Sequence, residues 1–282
     1  MPESGEQGVR GWGASQLRQR LDALRRAGIE FVPRPGRERN KPVRTEALGS
    51  DVARPRHTAA LAQEGSMFEG VLGAEPKLPE AQRRAVLEQI RGEVAACTRC
   101  AQLASSRAHT VFGEGSLSPR LMFIGEAPGA DEDRTGRPFV GRAGKLLGDM
   151  ITKGMGLRRE DVFIANILKC RPPENRVPLA DEVANCRGYL DRQIEALHPE
   201  YLCLLGKTAA VSLLGVESTQ SMGSLRGRWF SYRGVKTLVT YHPAYLLRQP
   251  SGKREAWEDL KMLMNAMGLE IPRREAAPDR HD

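Results

Sequence analysis

Four short apolar runs punctuate the middle of the chain: LMFIG at 121–125, VFIANIL at 162–168, YLCLLG at 201–206 and TLVTYH at 237–242. Stretches with helical spacing, such as AGKLLGDMITKGM and LADEVANCRGYLDRQIEAL, separate them. Continuous apolar strands alternating with helices indicate an α/β domain, because a parallel sheet is covered by helices on both faces and has no wet side to mark with polar residues. In such sheets ligands gather at the carboxyl ends of the strands. The chemistry-bearing motifs fall at or just beyond three of the four strand ends.

The domain is expected over residues 86–267, with a helix from Pro79 to about Ala96 leading into it. Residues 1–85 differ, being rich in Arg, Gly, Pro and Glu and poor in large apolar side chains. One helix is readable there: Ser15 caps it, Leu17, Leu21 and Leu24 share a face, and Gly28 ends it. The stretch EFVPRPGRERNKPVR after it reads as extended or disordered. This basic extension is either a poorly ordered segment, a helix docking a partner protein, or an arm tethering nucleic acid. Residues 268–282 read as a charged, disordered tail.

Lys and Arg number 43 against 35 Asp and Glu, a formal charge of +8. That balance suits a polyanion, since each phosphate contact releases counterions, but it serves simple solubility equally well. No run approaches the roughly 18 apolar residues that span a bilayer. The start, MPESGEQGVRGWG, lacks the apolar stretch of a secretory signal, so the expected location is cytoplasmic. In that compartment the five cysteines read as thiols or metal ligands rather than disulfides.

Cys97 and Cys100 form a CxxC pair in ACTRC, Cys170 follows the second apolar run, and Cys186 lies in a predicted helix beyond CRPPENRVP. Four thiolates suit zinc or an iron–sulfur cluster, and spacing does not separate the two. Cys203 sits inside an apolar run and reads as a small core residue. The first run ends in GEAPGADEDRTGRPFVGRAGKLL. With Glu126, Asp131, Glu132 and Asp133 this is a tight acidic turn, neither a Walker loop nor a Rossmann fingerprint. Such a turn positions a water or presents backbone amides to a polar heterocycle.

At GEAPG (125–129), GRPFVGRAG (136–144), NILKCRPPENR (166–176) and YHPAYLLR (241–248), the sequence resembles the family 4, iron–sulfur, uracil-DNA glycosylases. The likeness covers roughly residues 90–265. It implies a three-layer α/β/α fold around a central four-stranded parallel sheet. It implies a 4Fe-4S cluster on Cys97, Cys100, Cys170 and Cys186 that orders loops near the DNA and takes no redox part. The implied activity is monofunctional release of uracil from single- or double-stranded DNA by a monomer, leaving an abasic site.

The resemblance also implies roles in the pocket. Phe139 stacks on the flipped base, Asn166 bonds the O4 and N3–H edge of uracil, and His242 donates to O2 as the departing ring gathers charge. The backbone of Gly125, Glu126 and Ala127 contacts the ring. Glu126 either activates the water or shapes the loop. Leu246 or Leu247 is the wedge for the gap left by the base, with Leu247 the first choice. Arg137, Arg142 and Arg248 are the DNA contacts, Arg248 either on phosphate or in the stack. His109 and His198 read as ordinary loop histidines. No KRRIH-like insertion follows CRPP, so turnover is expected rather than a covalent adduct, and nothing in GEAPGADED matches the aromatic that excludes thymine in the best-known members.

Overall fold

A computed structural model describes residues 77–272. The expectations for residues 1–76, including the Leu17–Leu24 helix, and for 273–282 lie outside the described residues. The helices are α1 (Glu80–Ala95), α2 (Ala101–Ser106), α3 (Ala130–Thr135), α4 (Arg142–Asp149), α5 (Ala180–Leu197), α6 (Lys207–Leu214), α7 (Met222–Leu225), α8 (Pro243–Arg248) and α9 (Gly252–Met267). The strands are β1 (Glu114–Gly115), β2 (Leu121–Gly125), β3 (Phe163–Asn166), β4 (Tyr201–Leu205), β5 (Trp229–Tyr232) and β6 (Val235–Thr240).

They form one sheet in the order β1-β3-β2-β4-β6-β5. The four inner strands are parallel and are the four apolar runs. Their continuous hydrophobicity follows from the two cores. Met122 and Ile124 of β2 pack with α1 and α5 residues such as Leu87, Ile90, Leu190 and Ile194. Leu121 and Phe123, pointing the other way, pack with Leu147 of α4 and Leu260, Leu263 and Met264 of α9. Both faces are dry, so the central strand β2 carries no polar alternate on either side.

The two edge strands were not among the expected elements. Both are antiparallel, β1 on β3 and β5 on β6. β1 has two residues, and β5, WFSY, mixes polar and aromatic residues along a half-wet edge. β5 joins β6 through Arg233 and Gly234, both at positive φ (50° and 80°), the backbone that a two-residue hairpin turn requires. Leu87, Ile90 and Val94 of α1 pack in the core. Leu269 and Ile271, just after α9, pack against the same core as α9.

One buried polar node ties the far end of the sheet together. Asp259 of α9 is fully buried. It accepts from Arg226 at 2.9 and 3.0 Å and from the Thr240 hydroxyl, at the end of β6, at 2.7 Å. Replacing Arg226 with Met strands that carboxylate without its cation, and a loss of about 3–5 kcal/mol in unfolding free energy is expected from urea denaturation. A loss under about 1 kcal/mol would show that Thr240 alone satisfies Asp259.

Candidate functional site

The carboxyl ends of the parallel strands converge on one cavity of about 500 Å³. Glu126 and Ala127 reach it from the end of β2, Asn166 from the end of β3, and His242 from just beyond β6. Strand β6 stops at Thr240, so His242 is not a strand residue but the N-cap of α8.

Gly125 stands behind the cavity rather than on its lining. A Cβ there would collide with Oδ1 of Asn166 and lie 2.6 Å from Cζ of Phe139. The bare backbone is what lets these two side chains meet. Asn166 is buried, and its Oδ1 has no hydrogen-bond partner. An orphaned buried acceptor costs about 1–3 kcal/mol.

Phe139 is both a core aromatic and a cavity wall: it packs in the α4–α9 core and lines the cavity. Its φ is +50°, a strained value for a bulky residue. Two features hold it there. Gly144 of α4 lies so close that a Cβ would strike the Phe139 carbonyl. Glu132 braces the loop, its Oε1 accepting the N–H groups of Val140 (2.9 Å) and Gly141 (3.0 Å) while Oε2 accepts that of Gly129 (3.1 Å). Sequence reading missed this brace, although Glu three residues after a helix-starting Gly is a capping-box spacing.

The acidic turn is in fact the short helix α3. Asp133 is buried and accepts from the backbone of Ala108 (3.0 Å) and His109 (3.3 Å), so of the four carboxylates only Glu126 and Glu132 line the cavity. His109 is tied to the Asp133 carbonyl at 2.9 Å, and His198 caps α5 at φ 48°. Both are structural.

His242 faces Phe139 with ring centroids 5.7 Å apart. Its Nδ1 accepts the N–H of Ala244 at 3.1 Å, as an N-cap does, and Pro243 occupies the first helical position. An accepting Nδ1 leaves the proton of the neutral ring on Nε2. Burial, with the charge of Arg248 adding to it and Glu132 opposing, pulls His242 down to about 4. At neutral pH the ring is a neutral donor.

The remaining expected contacts divide. Arg248 lines the cavity mouth with Tyr245. Leu247 is exposed and Leu246 is buried, which selects Leu247 as the free apolar side chain. Arg142 is exposed at the start of α4, beside the lining residue Ala143. Arg137 is not brought to the cavity: its guanidinium pairs with Glu114 of β1 at 2.9 Å, and Arg159 shares the same carboxylate. A wall that sequence reading did not assign is formed by Pro172, Asn175, Arg176 and Val177.

Cys97, Cys100, Cys170 and Cys186 line a second, smaller cavity. Donors surround the sulfurs: Arg107 on Cys170 (3.1 Å), the Lys169 N–H on Cys186 (3.2 Å) and Asn185 on Cys100 (3.6 Å). Such donors suit anionic thiolate ligands. Among the described residues no three His, Cys, Asp or Glu side chains close on a single ion. Four thiols around a common space suit a thiolate-ligated metal centre. Cys203 is fully buried in the other core, away from this group. Lys169 links the two sites. Its buried ammonium, pulled down to about 8 by burial, donates to the Asn166 carbonyl (2.9 Å) and to Gln193 (2.7 Å).

The His242 geometry has a direct check. A nitrogen-detected NMR titration is expected to show the Nε2–H tautomer with a midpoint near 4 rather than the ordinary 6.5. The unfolded chain then binds more protons between those values. The stability that rests on the neutral ring is complete above 6.5 and is lost as pH falls toward 4. A midpoint at 6.5 would contradict the enclosed, N-capping ring.

Comparison with known proteins agrees with this architecture. The Uracil DNA glycosylase superfamily profile matches residues 112–261. The Type-4 uracil-DNA glycosylase of Saccharolobus solfataricus is 43% identical over 187 residues, 64% of this chain and 86% of that protein. That of Thermotoga maritima is 43% identical over 182 residues, covering 64% and 93%. That of Sulfurisphaera tokodaii is 44% identical over 184 residues, covering 63% and 83%. Among the described residues no helix is long and apolar enough to cross a membrane. The sheet with its strand-end cavity, the match over more than half the chain and these identities together place the chain in the uracil DNA glycosylase superfamily, among its type-4 members.

Proposed function

We propose that this protein hydrolyses the N-glycosidic bond of uracil in DNA, releasing the free base and leaving an abasic site. The observation that carries the reading is the orphaned Oδ1 of Asn166 at the back of the cavity. Uracil N3 bears a hydrogen and supplies the missing donor, while the amide nitrogen faces O4. Cytosine presents an acceptor at N3 and a donor at C4, so it would leave both groups of the asparagine unpaired, which a buried site penalises strongly.

The other roles follow from position. Phe139, held in its strained loop, offers a ring face to the flipped base. As the C1′–N1 bond breaks, its electron pair moves into the uracil ring and out to O2 and O4. The Nε2–H of His242 donates to O2 and stabilises that charge while the imidazole stays neutral. Water adds its oxygen to C1′ of the cationic sugar and loses a proton, and the uracil anion takes up one proton to leave as the neutral base. Glu126, half-buried on the lining, orients that water and opposes the sugar's charge. Arg248 and Arg142 meet phosphate, and Leu247 fills the gap in the stack.

We further assign Cys97, Cys100, Cys170 and Cys186 to a 4Fe-4S cluster. When bound it supplies cross-links that tie the α1–α2 junction, the loop after β3 and α5 together, with no electron transfer. Purified protein is expected to be yellow-brown with about four irons per chain. A colourless preparation holding zinc would overturn this assignment.

The activity test is base release from uracil-containing oligonucleotides, without strand cleavage. Intact holoprotein that leaves both single- and double-stranded substrates untouched would refute the reading. Asn166→Ala and His242→Ala are each expected to slow release by about 10²–10³-fold. Near-normal rates in both would refute the assigned pocket.

A further inference from the structure

We propose that Val177, seconded by Leu179, is a second apolar wedge that enters the base stack of duplex DNA beside the flipped nucleotide. The inference rests on the uracil-excision reading and extends it to how duplex DNA is opened.

Five large hydrophobic side chains are exposed among the described residues: Leu78, Val177, Leu179, Tyr245 and Leu247. Four of the five sit on the two segments that border the cavity mouth, and Val177 and Tyr245 themselves line it. Val177 is the most open of all, at 64%. Apolar side chains gathered at the rim of a site mark a surface that is covered when its ligand arrives. Under the proposed function that ligand is DNA. The apolar part of a duplex is the interior of its stack, which proteins reach by inserting side chains such as Leu, Ile or Phe between base steps.

The loop is built to hold such a side chain out. Pro172, Pro173 and Pro178 stiffen it, and Glu174 and Asn175 are both fixed at φ 55°. Arg171 donates to the Asn175 side chain at 2.8 Å. Arg176, next to Val177, grips both oxygens of Glu182 at 2.7 and 2.9 Å, and Glu182 also accepts the N–H of Leu179 at 2.8 Å. These three bonds clamp Arg176 and Leu179, which bracket Val177 and Pro178, so little freedom remains to be lost on binding. They also commit the charge of Arg176 to Glu182. Glu174 and Asn175 are exposed earlier in the loop, but at Val177 and Leu179 its outward side chains are apolar and the neighbouring cation is already paired, which favours a base step over a phosphate as the target of this part. Cys170 immediately precedes the loop, and Cys186 lies in the second turn of α5, the helix that follows it.

A wedge matters only where a stack has to be opened. In duplex DNA the flipped base leaves unstacked neighbours whose exposure opposes extrusion, whereas a single strand holds its uracil loosely. The test compares kcat/KM on uracil in duplex and in single-stranded oligonucleotides for wild type, Val177→Ser and Val177→Leu holoproteins, with visible absorbance confirming equal cluster content. Val177→Ser is expected to lower the duplex to single-strand ratio about tenfold, the scale of one lost apolar contact, while Val177→Leu keeps it. 2-Aminopurine beside the uracil should brighten on duplex binding by wild type and less by Val177→Ser. An unchanged ratio, an equal loss on both substrates, or a loss shared by Val177→Leu would overturn the wedge and leave uracil excision standing. Failure of wild type to release uracil would instead refute the function, and the wedge with it.

Discussion

The candidate site depends on the absence of one side chain, at Gly125. The last residue of the central strand must pass between the Asn166 amide and the Phe139 ring, and any Cβ would drive them apart. Because the strand backbone is fixed by ladders on both sides, to β3 and to β4, it cannot yield. The close approach is rigid for the same reason that the sheet is stable. Around it, Gly144 lets the Phe139 loop lie on α4 and Gly206, at φ +93°, lets His242 lie over the end of β4, where a Cβ would stand 3.0 Å from that of the histidine. Three glycines thus make the space in which three cavity-lining side chains, Asn166, Phe139 and His242, converge.

Strain and restraint are paired throughout this region. Phe139 occupies a backbone conformation that costs on the order of 1–3 kcal/mol, and it persists because surrounding contacts over-determine it. The Glu132 carboxylate takes three backbone N–H groups, and each such charge-assisted bond outweighs a neutral one. His242 is restrained in a different way, by capping the helix that it begins. One backbone N–H sets both the ring's orientation and its tautomer. The proton on Nε2 is thus placed by a helix-start signal, His-Pro, that looks purely structural.

Much of the fold was legible. The four apolar runs are the four parallel strands, and α5 spans nearly the same residues as the helical pattern in which Cys186 was placed. The edge strands were not, because β1 is two residues long and β5 lacks both continuous hydrophobicity and clean alternation. Glu126, Phe139, Asn166, His242 and Arg248 stand on one cavity, and Arg137, expected as a phosphate contact, pairs with Glu114. Its motif neighbours say nothing of a carboxylate 23 residues earlier, since ion pairs between distant segments leave no local pattern. The same holds for Lys169: NILKC shows a lysine, but not that it is buried or that it bonds the strand carrying Asn166.

What the sequence by itself determined is periodic or local. Hydrophobic runs set the strands, helical spacing set the covering layers, a His-Pro pair set a helix start, and a CxxC with two later cysteines set a four-thiol inventory. Only the tertiary structure decided which side chains share a space. It brought the four cysteines around one cavity, selected Leu247 over Leu246 as the free side chain, and added the Pro172–Val177 wall. It also left the Asn166 acceptor unpaired. The physical reason is that local preferences arise within a few bonds of a residue. Burial, orphaned polar atoms and ion-pair partners arise from packing between segments far apart in the chain, and they exist only once the sheet has closed.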